Sequence, residues 1–275
     1  TGTGARGKQK LQPGGIWYTA QSGIWQTVWL ESVPAGHVTD VHLEPDLTGF
    51  TITVAATVTT SVDVSVLSGG VPVSTGSGRT GSRLRIDIPQ PRLWSPEDPH
   101  LYDVEIHCGD DEVRSYVGLR TTTVGPDASG VPQLLLNGRP YLHAGVLDQG
   151  YWSDGLYTAA SDDALVFDIE TMKDMGFTMM RKHIKIEPQR WYYHCDRLGM
   201  LVWQDMVNGG GPYRQDVVQV PSAPPQRLSD SHYRVFSRQD AAGRDQWLVE
   251  TDQTVALLRN HPSVVVWVPF NEGWG

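Results

Sequence analysis

Between residues 50 and 108 apolar and polar positions alternate in four separate runs. Phe50, Ile52, Val54, Ala56 and Val58 interleave with Thr51, Thr53, Ala55, Thr57 and Thr59. Val62, Val64 and Val66 interleave with Asp63 and Ser65; Leu84, Ile86 and Ile88 with Arg83, Arg85 and Asp87; Tyr102, Val104, Ile106 and Cys108 with Asp103, Glu105 and His107. A period of two gives each run one apolar and one polar face, as an antiparallel sheet covered on one side requires. Turn-forming residues separate the runs at Gly69-Gly70, Gly76 to Gly81, Pro96 to Pro99 and Gly109-Asp110. Six or seven short strands in about 90 residues predict an immunoglobulin-like β-sandwich over 32–124, without a cysteine pair to bridge its sheets.

After Val124 strands alternate with helices. LHAGVL (142–147) reads as a strand. Ser161 can cap the following helix, with Asp162 and Asp163 at the positive end of its dipole. Leu165, Ile169 and Met172 form its buried stripe and Gly176 suits the position just past its end. FTMMR (177–181) is the second strand. Pro188 then opens a helix with Trp191, Cys195 and Leu198 inward and Gly199 at its end. MLVWQ (200–204) is the third strand. Beyond a Gly- and Pro-rich insertion, a helix from Asp240 to Arg259 is expected to bury Leu248, Thr251, Val255 and Leu258. The last strand, Val264 to Val268, is apolar throughout, as a strand covered on both faces should be. Four such βα units imply a parallel sheet, the first half of a (β/α)8 TIM barrel over 125–275. The fold class is therefore multidomain, β plus α/β.

Residues 1–31 do not make a domain of their own. Their one strand signal is SGIWQTVWLE, and one or two strands cannot bury a core alone. The chain stops three residues after Glu272, which reads as a cut, so both ends are taken as truncated.

Composition narrows the partners. The net charge is −9 and no basic run occurs, which argues against nucleic acid and anionic membranes. No apolar stretch approaches the roughly 18 residues of a membrane-spanning helix. TGTGARGKQK carries no apolar secretion segment, and with a cut N-terminus the compartment stays open. Cys108 and Cys195 fall in different domains and are expected to be buried thiols. Ten tryptophans and ten tyrosines serve core packing first and offer flat faces to sugar rings second. A half barrel leaves two strand edges unpaired, so self-association or a homo-oligomer is expected.

In a parallel barrel the carboxyl ends of the strands share one rim, where such folds place their chemistry. That rim receives Asp148 and Gln149, then Arg181 and His183, then Gln204 and Asp205, and last Asn271 and Glu272. No metal site with ligand spacing is present: His143 and His183 stand apart and read as satisfied or surface histidines. A serine-nucleophile elbow is missing too. Cleavage of a glycosidic bond needs two carboxyl groups, roughly 5–5.5 Å apart for a retaining enzyme. Glu272 fits one of them. Trp267, Phe270 and Trp274 supply the apolar surroundings that keep an acid protonated, and Trp274 is also a candidate substrate contact.

The order of sandwich and barrel strands, RKHIKIEPQRWYYHCDRLGMLVWQDM, and RNHPSVVVW followed by Asn271-Glu272 together resemble glycoside hydrolase family 2, the β-galactosidase, β-glucuronidase and β-mannosidase group. SGIWQTVWLE looks like the closing strand of that family's N-terminal sugar-binding jelly roll. The resemblance implies that Glu272 is the general acid/base and that Asn271 hydrogen-bonds the sugar 2-hydroxyl. It places Arg181 beside the nucleophile and gives Asp205 substrate or metal contacts. It assigns the nucleophile to strand seven, so none lies in this chain. Gln149 stands where β-galactosidases tend to have His, and His183-Ile184 replaces their Ser-His. The function implied is that of a retaining β-glycosidase acting on β-galactoside- or β-glucuronide-like substrates, with no cofactor. This chain alone is expected to be inactive. The alternative is a non-catalytic carbohydrate-binding or scaffold protein on the same fold.

Overall fold

The computed structural model describes residues 4–211 and 231–271. Near the start, β1 (Gln9–Lys10) and β2 (Tyr18–Thr19) form a short parallel pair. The strand expected within 22–31 is not formed, and Ile24, Val28, Trp29 and Leu30 are exposed. Its apolar residues fall in doublets, so they give neither face of a strand a continuous apolar row. Side chains from Tyr18 to Trp25 hold the chain's first stretch instead. Tyr18 stacks on Tyr151 at 3.9 Å, Trp25 meets Tyr157 edge-on, and the Tyr157 amide donates to Gln21 Oε1 at 2.8 Å.

Seven strands then make a sandwich: β3 (Val38–Pro45), β4 (Gly49–Ala56), β5 (Ser61–Ser68), β6 (Val71–Arg79), β7 (Arg83–Asp87), β8 (Tyr102–Cys108) and β9 (Asp111–Val117). One antiparallel sheet runs β3-β4-β7 and the other β6-β5-β8-β9. The alternating apolar residues meet between them: Phe50, Ile52, Val54 and Ile86 from one sheet, Val62, Val64, Val66, Val104 and Ile106 from the other. Val58 is an exception. It lies past the end of β4 and is half exposed.

Three strands went unread in the sequence. β10 (Thr122–Pro126), β11 (Pro132–Leu136) and β12 (Arg139–Pro140) form a small antiparallel sheet between sandwich and barrel. Leu136 packs with Trp94, Met179 and Leu201, so this sheet covers the amino ends of the barrel strands.

The remaining strands are β13 (Gly145–Asp148), β14 (Met179–Lys182), β15 (Leu201–Asp205) and β16 (Val264–Val268), all parallel and in that order. They alternate with α1 (Asp162–Asp174), α2 (Gln189–Leu198) and α3 (Ala241–Leu258). Ser161 caps α1, its side chain accepting from the Ala164 amide. At the other end Gly176, at φ +89°, lets its amide reach Lys173 O and the Phe177 amide reach Met172 O, the paired bonds of a Schellman stop. Gly199 ends α2 in the left-handed region. In α3 the inward stripe differs from expectation: Leu258 and Thr254 are buried, while Leu248 is exposed and Trp247 faces in. Counting back from Leu258 at a period of 3.6 reaches 247, and the indole is anchored by donating to Val207 O at 3.2 Å. Cys108 and Cys195 are both buried free thiols.

Candidate active site

Side chains alternate across a strand, so Arg181 and Asp205 project from the face of the parallel sheet opposite α1 and α2. The two form a fork: Arg181 Nε donates to Asp205 Oδ1 at 2.8 Å and Nη2 to Oδ2 at 2.9 Å. Nη2 also donates to Asn271 Oδ1 at 3.0 Å. Asp205 is fully buried, whereas 28% of the Arg181 side chain stays accessible. A bidentate pair of this kind fixes the guanidinium plane. One arginine thus ties together the ends of β14, β15 and β16. His183 Nδ1 lies 3.2 Å from Asp205 Oδ2 but off the hydrogen-bond direction, and the buried atom has no hydrogen-bond partner among the described residues. Proximity without alignment does little to orient the ring. Glu272 and Trp274 lie outside the described residues.

On the helix side of the same strand ends sits a buried ionic network. Lys182 Nζ donates to Asp148 Oδ2 at 2.6 Å and to Glu187 Oε1 at 2.9 Å. Lys185 Nζ lies 2.9 Å from that same Glu187 oxygen and also donates to Gly150 O and, at 2.8 Å, to Tyr157 O. Burial alone would lower the Lys182 pKa, but Asp148 and Glu187 together hold it above the usual lysine range. Lys185 moves the other way, because burial outweighs its attraction to Glu187. Tyr192 OH donates to Gln204 Oε1 at 2.5 Å, and Gln204 Nε2 donates to the carbonyls of Lys185 and Asp205.

This placement corrects two readings. Asp148, expected to contact substrate, has its oxygens taken by Lys182 and by the Gly150 amide at 2.8 Å. Gln204 likewise points to the helix side and secures the loop after β14. Gln149 remains half-buried next to the rim, its Oε1 without a hydrogen bond among the described residues. His143 accepts from Trp203 Nε1 at 2.8 Å and is a satisfied histidine. Sequence reasoning missed Lys182, Lys185 and Glu187. The signal was available: a residue next to Arg181 on a parallel strand must face the helices, where a lysine needs partners.

Gly150 shows how tight this loop is. Its φ is +64°, and a Cβ there would come within 2.2 Å of Glu187 Oε1 and 2.9 Å of Lys182 Nζ. Gly150→Ala is expected to lower stability by about 1–3 kcal/mol, read as a drop in urea midpoint at unchanged slope. Buried Ile184 also holds a positive φ, +43°, a conformation costly for a β-branched residue and sustained by the bonds around it. A cavity of about 310 Å³ lies off the rim between Arg6, Gln21, Trp25, Tyr157 and Trp247. It includes neither Arg181 nor Asp205.

Comparison with known proteins agrees with this architecture. Residues 36–120 match the family model described as glycosyl hydrolases family 2, and residues 131–274 match the TIM barrel domain of the same family. A beta-galactosidase from Vibrio vulnificus (strain YJ016) is 26% identical over 290 residues, covering 95% of this chain and 26% of the relative. A putative beta-glucuronidase from Formosa agariphila is 26% identical over 195 residues, covering 69% of this chain and 16% of the relative. A solved beta-glycosidase from Bacteroides vulgatus has a TM-score of 0.70 at 23% identity, covering 94% of this chain and 32% of that one. The chain therefore spans about a quarter of the length of the beta-galactosidases it resembles. At such identity the structural match speaks for the fold alone, the immunoglobulin-like domain followed by barrel strands.

Proposed function

Because the chain belongs to glycosyl hydrolases family 2, we propose that it works in the hydrolysis of β-glycosidic bonds with retention of configuration. Glu272 is the general acid/base in this reading. Protonated, it donates to the leaving oxygen while a second carboxylate, supplied by a strand beyond the four described, attacks the anomeric carbon. Ionised, it then takes a proton from the water that releases the sugar. Arg181 contributes positive charge where that nucleophile must stay ionised. Asn271, held by Arg181, offers its amide to a sugar hydroxyl.

The observation that carries the reading is the hydrogen-bonded chain Asp205–Arg181–Asn271. It orders the rim at the residue immediately before Glu272, and preorganised polar groups of this kind account for much of enzymatic rate enhancement. Gln149 and His183 are the positions at which we place sugar selectivity, between β-galactoside- and β-glucuronide-like substrates. The test is a panel of aryl β-glycosides assayed with the full-length protein, with the anomer of the first product read by NMR. Turnover of at least one substrate to the β-anomer is expected. Inversion, or sugar binding without turnover, contradicts the proposal, the latter in favour of a carbohydrate-binding role.

A further inference from the structure

Two segments, Asp196 to Gly199 and Arg259 to Val264, hold none of the residues given chemical roles above. The structure brings them together. The Asp196 carboxylate is fully buried. Its Oδ1 accepts from the Ser263 amide at 2.9 Å, and its Oδ2 accepts from Tyr116 OH and from His261 Nδ1 at 2.7 Å each. Burial, and then the charge of Asp196, push the Tyr116 phenol far above its usual pKa, so it remains a donor. The sandwich grips the same segment from its other side. Asn260 accepts from the Leu43 amide at 3.0 Å and donates to Val41 O at 2.6 Å. Arg120 donates to Pro262 O at 2.9 Å and to Val264 O at 2.8 Å. Gly118 faces Pro262 so closely that a Cβ would meet the ring at 2.8 Å.

Anchoring is needed here because the sheet ladder does not fix β16 by itself. Val202 pairs with Val264 but Trp203 pairs with Val266, so the register shifts within the strand. A slip of one residue turns every side chain of a strand to the other face. Asn271, just beyond β16, stands 3.0 Å from Arg181, a contact that a slipped strand loses. Asp196 holds the residues that lead into this strand, and the shift in register does the rest.

We propose that Asp196 is a positioning residue: by tying His261 and Ser263 to α2 and, through Tyr116, to the sandwich, it sets the register of β16 and thereby places Asn271, the residue before Glu272, at the rim. This rests on the glycosidase reading above. In the full-length protein Asp196→Asn keeps the side chain's size but removes its charge and one accepting oxygen. At temperatures well below its melting midpoint, kcat is expected to fall about 10- to 100-fold with KM changed less than about threefold, the signature of a small misplacement of reacting groups. Tyr116→Phe deletes one donor to Asp196, keeps the ring, and is expected to lower kcat by a smaller factor. Arg259→Ala breaks the solvent-facing pair with Asp40, at 2.7 Å, and is expected to leave kcat unchanged. A wild-type kcat in folded Asp196→Asn overturns the proposal. So does a drop of equal size in Arg259→Ala, which would mean general loosening. Should Asp196→Asn fail to fold, Tyr116→Phe decides, an unchanged kcat overturning it. A wild-type rate in Glu272→Gln would instead defeat the glycosidase reading, so the two failures are distinct.

Discussion

Replacing Glu272 by glutamine is expected to cut kcat on an alkyl or weakly activated aryl β-glycoside about 10²- to 10⁴-fold, the range of a lost general acid/base. The side chain keeps its size but loses its titratable proton and its charge, so the loss reports on proton transfer. The size of the defect should depend on the leaving group. An alkoxide leaves poorly without protonation, whereas a dinitrophenolate needs almost none. For the activated substrate the first step survives, and the second, in which water must be deprotonated, becomes slow. A burst of phenolate followed by slow turnover is therefore expected with dinitrophenyl substrates, measured by stopped-flow absorbance. A uniform defect across leaving groups, with no burst, would assign Glu272 a binding role and remove it from proton transfer. The pH profile offers a second check. The alkaline limb of kcat/KM, which reports the acid of the free enzyme, should disappear in the variant.

Much of the frame for this chemistry was legible in the chain, for identifiable reasons. Alternation in β4, β5, β7 and β8 was clean because one face of each strand meets the sandwich core. The stop of α1 was legible because Gly176 has a single mechanical use there. The β10–β12 sheet escaped because its strands are short and Pro-rich, with Leu134 to Leu136 giving no alternation. SGIWQTVWLE misled because aromatic and β-branched content imitates a strand even where the segment pairs with no strand among the described residues. In α3 two stripes one residue apart fitted equally well, and Trp247 prevailed over Leu248 through its contacts with Val207 and Phe270. At the site, the convergence of Arg181, Asp205 and Asn271 followed from the topology alone. Which polar rim residues were committed to structure did not. Asp148 and Gln204 resemble Asp205 in the sequence, and only their partners across 34 and 12 residues separate them.

Those partners make Lys182 the side chain whose loss should cost the barrel most. Lys182→Met keeps the buried stem, 1% exposed, and removes the charge that faces Asp148 and Glu187. The Asp148 carboxylate is then left with the Gly150 amide alone, and Glu187 with Lys185. Breaking one partner of a buried ion pair costs about 3–5 kcal/mol, since the other charge stays desolvated. A fall of that size in unfolding free energy of the barrel is expected from urea titration followed by tryptophan fluorescence. Lys182→Met/Asp148→Asn removes both members of the closer pair, and should be no less stable than Lys182→Met, a coupling of about 0.5–3 kcal/mol. Additive losses would show that the pair is not the source of the effect. The pH dependence carries a sign that packing loss cannot imitate. The deficit of Lys182→Met relative to wild type should shrink at alkaline pH, where the wild-type lysine loses its charge. Its pKa is raised in the folded state, so its contribution is complete below the unfolded lysine value of about 10 and fades only as alkaline pH passes the folded one. A deficit that stays constant with pH would reduce Lys182 to a filler of volume and leave the loop that bears His183 without its electrostatic anchor.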